Sequence, residues 1–398
     1  MKNILKTIAL CALTTSVYAA KQAQWSVEFD VNKSSLISTN IDSPKANLNK
    51  QAISYSYPLN SNEKLNFDTI PFEEKSKQYW IDSTGAKLIN GVDLPVTGGN
   101  TVIRISPMTN DKSIQLETSM ISIQNNGEDK ELKVFADSAQ LKATGAAFSE
   151  NTVALMVNAK AGKLNLKVDS FAEETPFVIH VLEPKSKYVL SLKTGQSTFD
   201  ANQKISVNTD MLFGEEKLNA ELQGYISRPD GSVLGNLEFT QGSDGNYKAE
   251  IDAEGSQGLV VGLWEVHVFA KSQDKGIDIM RDAQTSFVVN LNTAQFDGQL
   301  SISEENLKVG IDVGLTGRYE VRGVIMGTDA KTFELKPIAM TMAAAWLAEG
   351  KQTIELSINE KFIQESGLVA PFSIKNVQLN NQTYMAPVQT VKSGIDLL

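Results

Sequence analysis

GLWEVHVFA, residues 262–270, is the stretch whose reading decides the fold. On a strand successive side chains point to opposite faces, so Trp264, Val266, Val268 and Ala270 share one face while Glu265 and His267 share the other. An apolar stripe of period two carrying a tryptophan reads as a β-strand lining a core. His267 is then placed outside beside Glu265, and one histidine with one carboxylate falls short of the three or four ligands a metal requires.

Outward from this strand, residues 185–291 give seven short apolar runs: Tyr188–Leu192, Ile205–Val207, Leu218–Ile226, Val233–Phe239, Tyr247–Ile251, Leu263–Ala270 and Phe287–Val289. Turn chemistry separates them, notably Pro229-Asp230-Gly231 and Ser243-Asp244-Gly245, where glycine supplies positive φ and aspartate bonds its own backbone. Seven strands with no amphipathic helix long enough for a crossover predict an antiparallel sandwich of immunoglobulin type.

The pattern recurs. Gly317-Arg318-Tyr319-Glu320-Val321-Arg322 repeats the glycine, aromatic, glutamate, valine order, with Tyr319 and Val321 inward and Arg318, Glu320 and Arg322 outward. Trp264 and Tyr319 are predicted to occupy matching positions on matching strands, each buried between sheets. A weaker echo, Phe177–Val181, places His180 opposite Phe177, Ile179 and Val181, on the surface like His267. It leads into Glu183–Ser186, a predicted linker, and Asn290–Thr293 forms a second junction. The expected molecule is all-β: three tandem β-sandwich domains, the last two immunoglobulin-like. Its expected parts are a signal peptide at 1–19, an N-terminal sandwich with long loops at 20–184, and immunoglobulin-like domains at 185–291 and 292–398.

In the first region the clearest strands are Thr101–Ser106, Ile114–Leu116, Leu132–Phe135, Val153–Val157 and Leu164–Val168, and a short helix is expected near Pro71, where Glu73 and Glu74 suit a helix start. In the last region Ala339–Leu347 has helix propensity but precedes Thr353–Ile358, which alternates with period two. We read it as extended, with Trp346 as a core plug. Asn359–Ser366 followed by Gly367 reads as a helix capped at both ends.

Tyr79-Trp80 through Gly91, Val102–Pro107, Gly262–Val266, Gly317–Gly323 and Ala345-Trp346-Leu347 together resemble a family of exported gammaproteobacterial proteins, domain of unknown function 4785. The resemblance implies an N-terminal β domain followed by immunoglobulin-like domains. It supplies no catalytic residues.

Lys2 and Lys6 precede a short apolar run from Thr7 to Leu13, and Val17-Tyr18-Ala19 permits cleavage after Ala19, so the first residues read as a secretory signal peptide. Export to the periplasm or the extracellular space follows, and no later stretch is apolar for long enough to span a bilayer. Cys11, the single cysteine, lies inside that run. It fits a lipid-attachment site poorly because Leu10 before it is not small. The mature chain would then hold no disulfide, and stability would rest on core burial in domains of about 100 residues or more. Cleavage takes the formal charge from −10 to −12, a surface that repels nucleic acid and anionic lipid.

Motifs of catalysis are largely missing: no Gly-x-Ser-x-Gly elbow, no phosphate-binding loop and no His-Glu-x-x-His. Ser272-Gln273-Asp274-Lys275 has a Ser-x-x-Lys spacing, but that spacing works on a helix and here follows a strand. Calcium is the single cofactor candidate. Asp274, Asp278 and Asp282 recur every fourth residue between two predicted strands, without the central glycine and terminal glutamate of an EF-hand, and we read them as a solvated acidic loop. Two functions compete: a non-enzymatic binding or scaffold protein presenting its sandwiches to a protein or glycan partner, which we prefer, and a carboxylate-based glycan hydrolase with its site in the N-terminal domain. Oligomeric state is left open.

Overall fold

The computed structural model describes residues 25–37, 48–68, 70–109, 116–136, 151–201, 203–253, 260, 262–303 and 306–397. Residues 1–19, expected to be a signal peptide, with Cys11 among them, and the expected strand residues Ile114 and Gln115 lie outside them. The chain is all-β: six sheets pack in pairs as three sandwiches, each around its own apolar cluster.

The first sandwich sets strands Gln78–Thr84, Pro176–Leu182, Gly99–Pro107, Val153–Ala159 and Lys133–Ala136, in that order, against a sheet of Val92–Val96, Gly162–Val168, Ile121–Asn125 and Glu128–Asp129. Alternation drives it, since Ile103, Leu155, Leu164, Leu166, Phe177 and Ile179 all point inward and are fully buried. The helix in this region is Gly85–Asn90, capped by the Thr84 hydroxyl and ended at Gly91 with φ 100°. The stretch after Pro71 is not helical. Glu74–Ser76 is a strand on the edge of the second sandwich, paired with Tyr188–Thr194, and the Ser191 hydroxyl donates to Glu73 at 2.6 Å. Charged, short strands suit a sheet edge because they resist further pairing, and that context overrides the helix signal.

The second sandwich has Leu263–Asp274 as the third of five strands, between Ile277–Asn290 and Ala220–Ser227. Trp264, Val266 and Val268 are fully buried. Strands Leu263–Asp274 and Ile277–Asn290 join at Lys275-Gly276, both with positive φ, a two-residue turn whose twist matches the strands. They therefore run on through polar residues that the sequence suggested were a loop. In the third sandwich Gly317–Thr328 is likewise third in its sheet, and Tyr319 near its start is fully buried. The expected match with Trp264 holds. Leu335–Leu347 is extended as expected, but Trp346 is a half-buried residue on the outer face, with the Lys50 ammonium 4.8 Å from its ring centroid. Odd positions 339, 341 and 343 point inward, so Trp346 is on the wrong side to plug the core. The helix Glu360–Ser366 is capped by Asn359 and by Gly367 in the left-handed region, as read.

The N-terminal stretch corrects the expected span of the first domain. Trp25–Glu28 pairs with Ala294–Ser303, and Ile53–Pro58 pairs with Leu335–Leu347, so both join sheets of the third sandwich. With Glu74–Ser76 this arm adds one edge strand to each of three sheets, and the first sandwich begins at Gln78. Glu183–Ser186 is no exposed linker either. Glu183 and Arg281 form a fully buried pair, Oε2 to Nη2 2.8 Å, between the first and second sandwiches. Arg281 also donates to Ser186 Oγ and to the carbonyls of Tyr188 and Met280, while Glu183 accepts from the Thr97 amide and hydroxyl.

Candidate functional site

Both histidines sit on outer sheet faces, but neither is a bare surface residue. His267 is half-buried, its ring stacked on Tyr225 with centroids 4.6 Å apart. Its Nε2 lies 3.2 Å from Ser227 Oγ and 3.4 Å from Glu265 Oε2. Serine, histidine and acid are the members of a nucleophilic triad, yet a relay needs the hydroxyl on one ring nitrogen and the carboxylate on the other. Here both crowd the same nitrogen. Burial lowers the His267 pKa, with Glu265 acting the other way.

His180 is buried, a correction to its expected exposure. Strand alternation does put it on the outer face, but its cross-strand neighbours Trp80 and Arg104 close over it. The indole stacks on the imidazole at 4.0 Å, the Arg104 guanidinium lies 4.9 Å from the indole centroid, and Nε2 is 2.8 Å from Gln78 Oε1. Burial and then the Arg104 charge bring the His180 pKa down to about 4. The ring is neutral near pH 7, with Nε2–H donating to Gln78.

The three aspartates spaced every fourth residue do not converge. Asp274 ends one strand and accepts from the Tyr188 hydroxyl at 2.8 Å, and Asp278 accepts from Gln273 at 3.0 Å. Asp282 lies further along, buried, and accepts from the Trp80 amide at 2.7 Å. Burial pushes its pKa up to about 6. Each carboxylate has a partner within the protein, and among the described residues no three His, Cys, Asp or Glu gather as a metal would need.

What the fold does assemble is a groove on the outer face of the third sandwich. Strand register sets Tyr55 opposite Met342, Met342 opposite Arg322, Arg322 opposite Gln378 and Gln378 opposite Thr390, one row across five strands. Two depressions of about 680 and 550 Å³ meet at Arg322, Asn380 and Pro387. The second reaches across to Gln196 and Ser197 of the middle sandwich. A polar chain orders the floor. Arg318, buried under the arm, donates to the carbonyls of Asn49 and Gln51 and to Gln382. Gln382 donates to Glu320 at 2.7 Å, and Arg322 Nε donates to Gln378 at 2.8 Å. Arg318 had been expected in the open; it does point outward, but residues 49–51 cover it. Arg322, about half exposed, lines both depressions and makes its one hydrogen bond to the described residues through Nε, which leaves both terminal amino groups without a partner among them. Sequence reading missed Tyr55 and Tyr57, although Ile53-Ser54-Tyr55-Ser56-Tyr57 alternates plainly.

A solved structure matches over nearly the whole of both chains. A crystal structure of a DUF4785 family protein from Legionella pneumophila superposes with a TM-score of 0.66 at 16% identity, covering 93% of this chain and 99% of that one. Native alpha-2-macroglobulin of E. coli matches more loosely, TM-score 0.28 at 10% identity over 82% of this chain and 20% of that one. A tandem repeat of a large adhesion protein gives 0.21 at 14% identity over 80% and 70%. No curated protein matches. The model for the N-terminal domain of domain of unknown function DUF4785 matches residues 44–183, and that for its C-terminal domain matches residues 293–398, together more than half of the sequence. The chain belongs to the DUF4785 family.

Proposed function

We propose that the protein is exported by the leader at residues 1–19 and serves, in the periplasm or outside the cell, as a non-catalytic scaffold that offers its outer sheet faces to a protein or glycan partner. The observation that carries this reading is the buried Glu183–Arg281 joint, with solvent reaching neither side chain. A hydrogen-bonded ion pair of this kind holds one geometry, because any shift strands a charge in a dry interior. The second joint is tied by a side chain as well, Asn290 donating to the Val388 carbonyl across it. Sandwiches fixed in orientation space and present surfaces, and a hinge for closing over substrate is not needed. In support, Ser227, His267 and Glu265 share a single ring nitrogen, which is unsuited to nucleophilic catalysis.

The test is turnover. Purified chain without its leader, incubated with chromogenic glycosides and soluble polysaccharides between pH 4 and 8, should release no product above the blank. Saturable release that disappears on substitution of a single acid in the first sandwich would establish the hydrolase instead.

A further inference from the structure

We propose that the groove on the outer face of the third sandwich binds a carboxylate-bearing polysaccharide, a uronic-acid glycan, with Arg322 holding the carboxylate; this rests on the binding role proposed above. The carboxylate follows from the donors. Across the row, Arg322 keeps Nη1 and Nη2 free of the described residues, Gln378 uses its oxygen for Arg322 and so presents its amino group, and Thr390 next to it presents an exposed hydroxyl. A planar guanidinium fork matches a planar carboxylate with two parallel bonds. The groove's charges are Arg318, Arg322 and Glu320, a net positive site in a chain of formal charge −10. Glu320 is engaged by Gln382 at 2.7 Å and stands 3.9 Å from Arg322 Nε, so it steadies the guanidinium from the side away from the terminal nitrogens.

The sugar follows from the other half of the row. Tyr55 and Tyr57 point the same way from one strand, are 49% and 42% exposed, and stand beside the two depressions on the same face without lining either. One strand lies between those of Tyr55 and Arg322, so two strand spacings, about 10 Å, part them. A glycan laid across the strands would place an apolar ring face on the tyrosine and a neighbouring unit's carboxylate on the arginine. An acidic peptide is the less suitable occupant, because peptides dock on sheets mainly by adding a strand at a free edge. At one side the edge strand is Ile53–Pro58, whose Ser54 hydroxyl is tied to that of Ser357 on the opposing sheet at 2.9 Å. At the other, Ala386–Val391 abuts the middle sandwich through Asn290. Arg322 and Gln378 stand on the third and fourth strands of the sheet, in from both edges, on a flat face of side chains.

Titration calorimetry on the full mature chain tests this with oligogalacturonate, oligomannuronate, carboxyl-reduced oligogalacturonate and polyglutamate. At least one uronate should bind, its reduced form about tenfold more weakly, since a lost charge-assisted bidentate contact is of that order. Arg322→Gln and Arg322→Lys should each weaken uronate binding about tenfold, the second because lysine keeps the charge but loses the fork. Tyr55→Ala should also weaken it, while Lys361→Gln on the distant exposed helix should leave it unchanged. A thermal melt of each variant confirms folding. No binding by either uronate, equal binding by polyglutamate, or an unaltered constant in both Arg322 variants would each overturn the proposal. The scaffold reading is judged by the turnover assay and would stand or fall separately.

Discussion

Arg281 is among the largest fully buried side chains, and its charge is met by a single carboxylate. Glu183→Ala should cost about 3–5 kcal/mol in a urea melt, because it leaves a guanidinium uncompensated. The double replacement Glu183→Leu with Arg281→Met should recover most of that loss, since an apolar pair of similar volume needs no solvation. A second prediction concerns acid. His180 has a folded pKa of about 4, below its ordinary value, so the unfolded chain takes up its proton first and stability drains away as pH falls from 6.5 to 4. Asp282 at about 6 is raised, so its contribution is full below 3.8 and is lost as pH rises to 6. The two oppose each other, each by roughly 3 kcal/mol at most. Asp282→Asn should make the protein acid-sensitive across this window, and His180→Phe should make it more stable at pH 4.5 than at pH 7, both read from urea midpoints. Side-chain alternation foretold the faces of Trp264, Tyr319, His180 and Arg318 correctly. It could not foretell that Trp80 roofs His180 or that residues 49–51 cover Arg318, because the covering groups come from other strands and from far along the chain.

At the level of the element, turns and short strands were readable where their causes are local. Gly231 adopts φ 82° and the Asp230 carboxylate accepts from the Ser232 amide, as the Pro-Asp-Gly motif requires. The arm was not readable, because a strand of four residues at Trp25–Glu28 gains its reason to exist from Gln299–Ile302. Removing residues 20–58 should bare the edges of Ala294–Ser303 and Leu335–Leu347, where unpaired amides and carbonyls invite another chain. The shortened protein should run as dimers or larger species in light scattering, and its third sandwich should melt earlier than in the full chain, while protection of amides in the first sandwich is kept. Tyr319→Phe belongs here too. Its hydroxyl bridges the Thr293 and Leu315 carbonyls, pinning the start of the third sandwich, and its loss should cost about 1–2 kcal/mol.

For the whole molecule, the joints tie each sandwich to the next by buried or half-buried side chains. The charges of the first joint are buried and the second is joined by the neutral Asn290 amide, and salt screens buried charges weakly, so the small-angle scattering profile should be unchanged between 50 and 500 mM sodium chloride; a broadening distance distribution at high salt would contradict it. The likeness of the second and third sandwiches was legible from the repeated aromatic-glutamate-valine pattern, whereas the joint was not, because Glu183 and Arg281 stand almost a hundred residues apart and nothing in either neighbourhood announces the other. The arm has a last consequence, for the order of events during folding. The first sandwich uses residues from Gln78 to Leu182 and can close as soon as they are available. The third cannot complete itself until its strands Ala294–Ser303 and Leu335–Leu347 meet a segment from far back along the polypeptide. Until then the tyrosines at 55 and 57 have no sheet to lie on. Closing so long a loop is entropically slow, which makes the third sandwich the last to form and gives a protease or chaperone its longest opportunity at the arm.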